Sequence, residues 1–395
     1  MATLILRGAA LLDPPESAPV NGRAVVVRDG RIEAVVPDRE APAGTTLRLD
    51  GLTLLPGLVN AHVHLGLGAE PDPAKVMLAE PLAATVVKML VRARETVEAG
   101  VTTVRDLGGR DYAELAVRDA IRAGLVPGPR VLAAGKIICM TGGHGHWAGR
   151  EADGPIDMRR AVREQVKAGA DLVKLVATGG VMTPGVEPGA PQLEPDEIAA
   201  AVAEARKAGR RTAAHAMAAS GIAAAVEAGI TTIEHGVFLT EAICERMARE
   251  RVFLVPTLAA PERIAVGGIA AGIPEFMVRK SNAVVERHME SVRLAHRMGV
   301  PIVAGSDAGT PLNPHGSLLP ELALLVRVGL SPIEAIRAAT TTAAEALGLG
   351  DTIGRIAPGF AADLLAVPGD PTARIETIGD PRLVMVEGKV LVHRH

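Results

Sequence analysis

After residue 52 the chain repeats one unit: a short aliphatic run, then a longer Ala-rich amphipathic stretch. No other feature of the sequence constrains the fold as strongly. Strand-like runs fall at 53–61, 101–107, 130–139, 171–177, 211–215, 230–235, 252–257 and 300–306. Helix-like stretches fill the gaps at 78–99, 111–124, 155–169, 194–209, 217–228, 240–250, 275–298 and 317–329, with a further helix at 332–348. Eight β-then-α units are what a closed (β/α)8 TIM-type barrel requires. A doubly wound open sheet is the alternative, but it would place a glycine-rich phosphate turn after the first strand. No G-x-G-x-x-G stands there.

The two ends have a different texture. "TLILRGAALLD", "AVVVRDGRIEAVV" and "TLRLDGLTLLPG" read as short strands, with Asp29-Gly30 as a hairpin signal. After residue 353, "GRIAPGFAADLLAV" and "RLVMVEGKVLV" repeat the pattern, with Glu387-Gly388 at the turn. The expected organisation is a small β-domain from residues 1–57 plus 353–395, flanking a catalytic α/β barrel over 58–352.

Composition narrows the partners. A net charge of −3 and the lack of a basic run argue against nucleic acid. Aromatic residues make up only 2%, so the core must be aliphatic and base stacking has few platforms. No apolar run reaches about 18 residues, so no membrane span is expected. Cys139 and Cys244 form neither a metal pair nor a disulfide framework, and the start lacks the features of a signal peptide. The expected setting is cytoplasmic, and the expected partner a small-molecule substrate bound by a homo-oligomer.

In a barrel, chemistry sits where strands end and β→α loops begin. The first run ends in "LVNAHVHLG", presenting His62 and His64; the fifth ends at His215, the sixth at His235 and the eighth at Asp307. Residues two apart share one face of a strand, so His62 and His64 both point into the mouth, as two ligands of one ion must. Imidazole and carboxylate suit zinc and related divalent ions. Read singly, each histidine could be a hydrogen-bonded structural residue; together the set reads as a metal centre. Lys174, midway along the buried run "DLVKLV", needs an explanation, because an unpartnered buried ammonium costs several kcal/mol. A neighbouring acid, loss of its charge or a Schiff base are the options the residues leave open.

"LLPGLVNAHVHLG", the lysine of the fourth run, the two single histidines, "GSDAG" and the closing "GRIAPGFAADLLAV" together resemble the amidohydrolase superfamily. "TGGHGH" and "GSDAGTPLNPHG" are similar to its Xaa-Pro dipeptidase and imidazolonepropionase-related group. The resemblance implies a (β/α)8 barrel with a β-sandwich built from both termini. It also implies two divalent ions, zinc being the expected metal, bridged by a carboxylated Lys174. One ion would take His62, His64 and Asp307, and the other His215 and His235. A hydroxide shared between the ions would attack the amide bond of a dipeptide or an N-acyl amino acid, with Asp307 moving the proton to the leaving amine.

Other residues carry weaker expectations. His144, on the loop "TGGHGHW", corresponds to a substrate-contacting histidine of the resembled dipeptidases and could polarise a carbonyl; His146 is a second candidate contact. His315 and Asn313 follow the last strand, where His315 either contacts substrate or caps a helix. Arg105 either receives a substrate carboxylate or pairs with its neighbour Asp106. The only tyrosine, Tyr112, follows the second run and cannot serve the later loops. Competing functions are a mononuclear imidazolone-type hydrolase or deaminase, a lactonase or phosphotriesterase-like esterase, and a non-catalytic scaffold. Lys174 argues against the first, and a complete ligand set against the last.

Overall fold

The computed structural model describes residues 3–394 as an α/β structure. Met1, Ala2 and His395, which the expected terminal domain includes, lie outside the described residues.

Two sheets are built from the chain ends. In the first, Arg31–Pro37, Arg23–Arg28, Leu4–Arg7 and Thr45–Arg48 lie side by side in that order. In the second the order is Lys389–His393, Leu383–Val386, Leu364–Pro368, Leu52–Pro56 and Ala10–Leu11. Leu364–Pro368 runs antiparallel to Leu52–Pro56, with Leu365 opposite Leu55. Leu6, Val25, Leu54, Leu364 and Met385, drawn from both ends of the chain, share one buried apolar cluster. Both hairpin signals are realised: Asp29-Gly30 and Glu387-Gly388 carry positive φ at both residues, as a type I′ turn demands. The turns also touch. A Cβ on Gly388 would stand 2.9 Å from the Gly30 Cα, so only glycine fits there.

The expected strand at 53–61 divides at Gly57. Its first half, Leu52–Pro56, stays in the terminal sheet; its second, Leu58–Val63, begins a parallel set with Val101–Asp106 and Arg130–Ala133. A Cβ at Gly57 would meet the Thr102 side chain at 2.3 Å, so the crossing point must be bare. A second parallel set runs Leu172–Val176, Arg211–Ala216, Thr232–His235 and Phe253–Val255. The Asp171 N–H donates to the Ala133 carbonyl at 2.8 Å and ties the two sets together.

The eighth expected strand, 300–306, forms only isolated bridges: Ile302 with Leu254 and, just past its end, Ala308 with Val63. Pro301 has no N–H to donate, and Asp307 turns to φ +56, so a continuous ladder cannot form. Even so, the Ala61 N–H reaches the Ala304 carbonyl at 3.0 Å, and Asp307 N–H reaches that of His62 at 2.8 Å. The last expected helix, 332–348, is two: Pro332–Ala338 and Thr341–Leu347, broken at Thr340. No helix among the described residues is long and apolar enough to cross a membrane. Cys139 and Cys244 are free and buried.

Candidate active site

Strand ends far apart in sequence deliver their histidines to one point. His62, at the end of Leu58–Val63, and His64, just beyond it, each direct Nε2 to within 3.4 Å of Asp307 Oδ1. That oxygen is buried and has no hydrogen-bond partner. The His62 and His235 rings lie 5.3 Å apart, those of His215 and His235 4.4 Å apart, and those of His144 and His215 4.5 Å apart. His62, His235 and Asp307 each offer a ligand atom within 4.8 Å of the others. Lys174 lines the same cleft.

Each of the four histidines uses one ring nitrogen on the protein and keeps the other. His62 Nδ1 pairs with Glu234 Oε2 at 2.9 Å, and His64 Nδ1 with the Gly108 carbonyl at 2.8 Å. His235 Nδ1 meets Thr257 Oγ1 at 2.7 Å, and His215 Nε2 the Gly179 carbonyl at 3.0 Å. This is the arrangement metal-binding imidazoles adopt, since an anchored nitrogen fixes the ring for its partner. Burial holds the histidines below their ordinary pKa, in the neutral form that binds metal. The same burial raises Asp307 to about 7 and lowers Lys174 to about 8, the latter opposed by Glu234. His235 and Asp307 sit at φ +73 and +56, strained backbone of the kind found at functional sites. With an orphaned carboxylate oxygen facing anchored neutral imidazoles, the residues present fit a metal centre.

Glu234 was not legible as a member of this site. It is wholly buried, and its Oε1 accepts from Arg105 Nη2 at 2.8 Å and from the Thr232 hydroxyl. The one available signal was a carboxylate beside His235 on a strand buried on both faces, which must be paired. Arg105 therefore pairs with Glu234 and not with Asp106, because adjacent strand residues point to opposite faces. Its remaining nitrogens meet the Ala61 carbonyl and Thr232 Oγ1 at 2.6 and 3.0 Å, and it does not line the cleft. Asp106 instead accepts the N–H groups of Leu65 and Gly108 at 2.8 and 2.9 Å. Removing one partner of a buried pair costs about 3–5 kcal/mol. Arg105→Met should lower the stability of the folded chain by that amount in a urea titration. A loss below about 1 kcal/mol would mean that Glu234 does not need the charge.

The remaining candidates divide. His144 lines the cleft, with Nδ1 2.9 Å from Thr183 Oγ1, and burial pulls its pKa to about 3. His146 does not line it. His315 is buried behind the cleft wall with Nε2 on the Leu67 carbonyl at 2.9 Å, and does not itself line the cleft. Asn313 Nδ2 donates to the carbonyls of Ser306 and Asp307 at 2.6 and 3.1 Å and so shapes the turn that presents Asp307. Beyond the polar cluster the walls of the cleft are apolar, with Met77, Trp147, Val181, Met182, Met217 and Ile264.

The amidohydrolase family model matches residues 53–391. Ochratoxinase of Aspergillus niger is 29% identical over 95% of this chain and 83% of its own. A Xaa-Pro dipeptidase crystallised with methionine in its active site is 29% identical, covering 99% of this chain and all of its own, with a TM-score of 0.91. A prolidase in complex with N-methylphosphonate-L-proline is 31% identical over the same shares, with a TM-score of 0.93.

Proposed function

The chain belongs to the amidohydrolase family and is a hydrolase acting on C–N bonds, and on that premise we propose that it is a binuclear enzyme cleaving an N-acyl amino acid or a dipeptide. The observation that carries this reading is the convergence of Lys174 with four anchored histidines around the orphaned Asp307 oxygen.

His62, His64 and Asp307 would hold one ion, His215 and His235 the other, and a carboxylated Lys174 would serve both. The modification balances simply: Nζ attacks carbon dioxide, a C–N bond forms, and the displaced proton goes to solvent. Divalent ions held there supply Lewis acidity, lowering the pKa of water from 15.7 towards about 7 and polarising the scissile carbonyl. Asp307 takes the proton from the attacking water and returns it to the leaving nitrogen, which departs as a neutral amine. Thr183 Oγ1 accepts the Gly145 N–H at 3.0 Å, and its hydroxyl proton can go to His144 Nδ1. His144 Nε2–H is then a donor for the substrate's oxygen.

The proposal also includes the closed (β/α)8 barrel over 58–352, supported by the hydrogen bonds from Asp171 to Ala133 and from Ala61 to Ala304. It includes the split β-sandwich of residues 1–57 and 353–395, supported by the shared apolar cluster. Zinc, a homo-oligomeric and cytoplasmic enzyme, and the absence of nucleic-acid or membrane partners complete it.

Asp307 is the only acidic side chain among the cleft-lining residues. In the proposed state the Lys174 carbamate is the other anion of the cleft, and it and Asp307 would both be taken up in holding the ions. A dipeptide's free α-ammonium would then find no anion left to pair with, and an unpaired buried ammonium is costly. An amino acid carrying an apolar acyl group should therefore show a kcat/KM at least about tenfold above that of the matched dipeptide, a difference of about 1.4 kcal/mol. A faster dipeptide overturns that preference. A neutral lactone or phosphotriester cleaved far faster than either amide hands the reading to the esterase alternative.

A further inference from the structure

The largest wholly buried side chain among the described residues is an unexpected one, Lys280, on the long helix Glu275–Arg297. Its Nζ is met by three backbone carbonyls, those of Gly180 at 3.3 Å, Thr183 at 2.6 Å and Val186. No carboxylate among the described residues pairs with it, although the Phe276 ring lies 5.4 Å away. An ammonium has three protons, and here each has one oxygen. All three oxygens belong to a single loop, which joins the strand Leu172–Val176 to the helix Pro195–Lys207.

That loop reaches the active site repeatedly. The Gly179 carbonyl anchors His215, and the Thr183 hydroxyl anchors His144. Val181 and Met182 form part of the cleft wall. Gly180 is packed so closely on His144 that a Cβ there would stand 2.5 Å from Nε2. Lys280 itself does not line that cleft, and its hydrogen bonds go to none of the candidate metal ligands. We propose that Lys280 is a positioning residue: its ammonium gathers residues 180–186 into the conformation that seats His144 and closes the apolar wall. Substrate binding depends on this clamp, whereas the metal ligands do not, because Gly179, which anchors His215, is held separately through its own N–H bond to the Ala190 carbonyl at 2.8 Å. The kinetic part of the inference rests on the amide-hydrolase reading; the structural part does not.

The test uses the full-length enzyme as Lys280→Ala, Lys280→Met and Lys280→Arg, each measured for bound metal, limited proteolysis and kinetics. Lys280→Ala and Lys280→Met should keep the wild-type metal content yet be nicked faster within 180–190. Their KM for an N-acyl amino acid should rise about tenfold or more, with a smaller change in kcat. Added propylammonium, which can fill the vacated channel with a new cation, should slow the nicking of Lys280→Ala and lower its KM, and should leave Lys280→Met unaffected. Unchanged nicking and KM in both neutral variants overturn the proposal. So does misfolding of both, shown by lost far-UV dichroism and metal, beside a fully wild-type Lys280→Arg, because the lysine is then a determinant of the core alone. If wild type is inert on every amide, the functional reading fails, while metal content and nicking still decide the clamp.

Discussion

Lys174→Ala should lose most of its bound metal and on the order of 10³-fold or more in kcat, the largest effect of any single substitution considered. The lysine stands in the middle of a strand with every residue buried, among the anchored histidines and beside Asp307. Left as an ammonium it would repel the cations that this ligand set is built to hold. As a carbamate it would instead be an anion with two oxygens, able to help hold the ions that the proposal places there. Short carboxylic acids, which offer the same pair of oxygens, should partly restore metal and activity to Lys174→Ala when metal is added. The check is metal per chain by elemental analysis, together with kcat, with and without the added acid. An unmodified lysine beside two fully occupied ions in a metal-loaded crystal structure would refute the carbamate.

Asp307→Asn should behave differently, keeping substantial metal while losing about 10²–10⁴-fold in kcat, the usual contribution of a positioned acid–base group. Backbone strain does not confuse this experiment. Asp307 sits at φ +56, and asparagine is among the residues that tolerate that region best. The Asn313 and Thr310 side chains both bind the Asp307 main-chain carbonyl, which the substitution leaves intact. An amide in place of the carboxylate can still offer an oxygen to an ion but cannot carry a proton to the leaving nitrogen. Metal and kcat falling in equal proportion would make Asp307 chiefly a ligand.

Much of this is legible in the chain because it depends on periodicity. Alternation of aliphatic runs with amphipathic stretches marks an α/β fold. Residues two apart on a strand must share a face, so the spacing of His62 and His64 alone puts them together. What depends on long-range pairing is not legible. Arg105 and Glu234 are far apart in sequence, and nothing local to either names the other; the neighbouring Asp106 is the nearest candidate and points the wrong way. Thr183 and Thr257, which orient His144 and His235, look like ordinary loop threonines. The 300–306 segment misleads in the opposite sense. Its composition is that of a strand, but Pro301 and the turn at Asp307 leave it only scattered bridges.

The pairing of Leu52–Pro56 with Leu364–Pro368 bears on how the chain can be made. Leu55 meets Leu365 across some 310 positions of sequence, so during synthesis the earlier strand waits for its partner. At about 5–20 residues per second the ribosome takes roughly 15–60 s to cover that distance. Throughout, Leu54 and Leu55 have no apolar cover from the later strand, and such an edge is a template for pairing with other nascent chains. Fragments ending before residue 364 should therefore aggregate even where the parallel strands have formed, and expression should profit from chaperones that shield an unpaired edge until the last strands emerge.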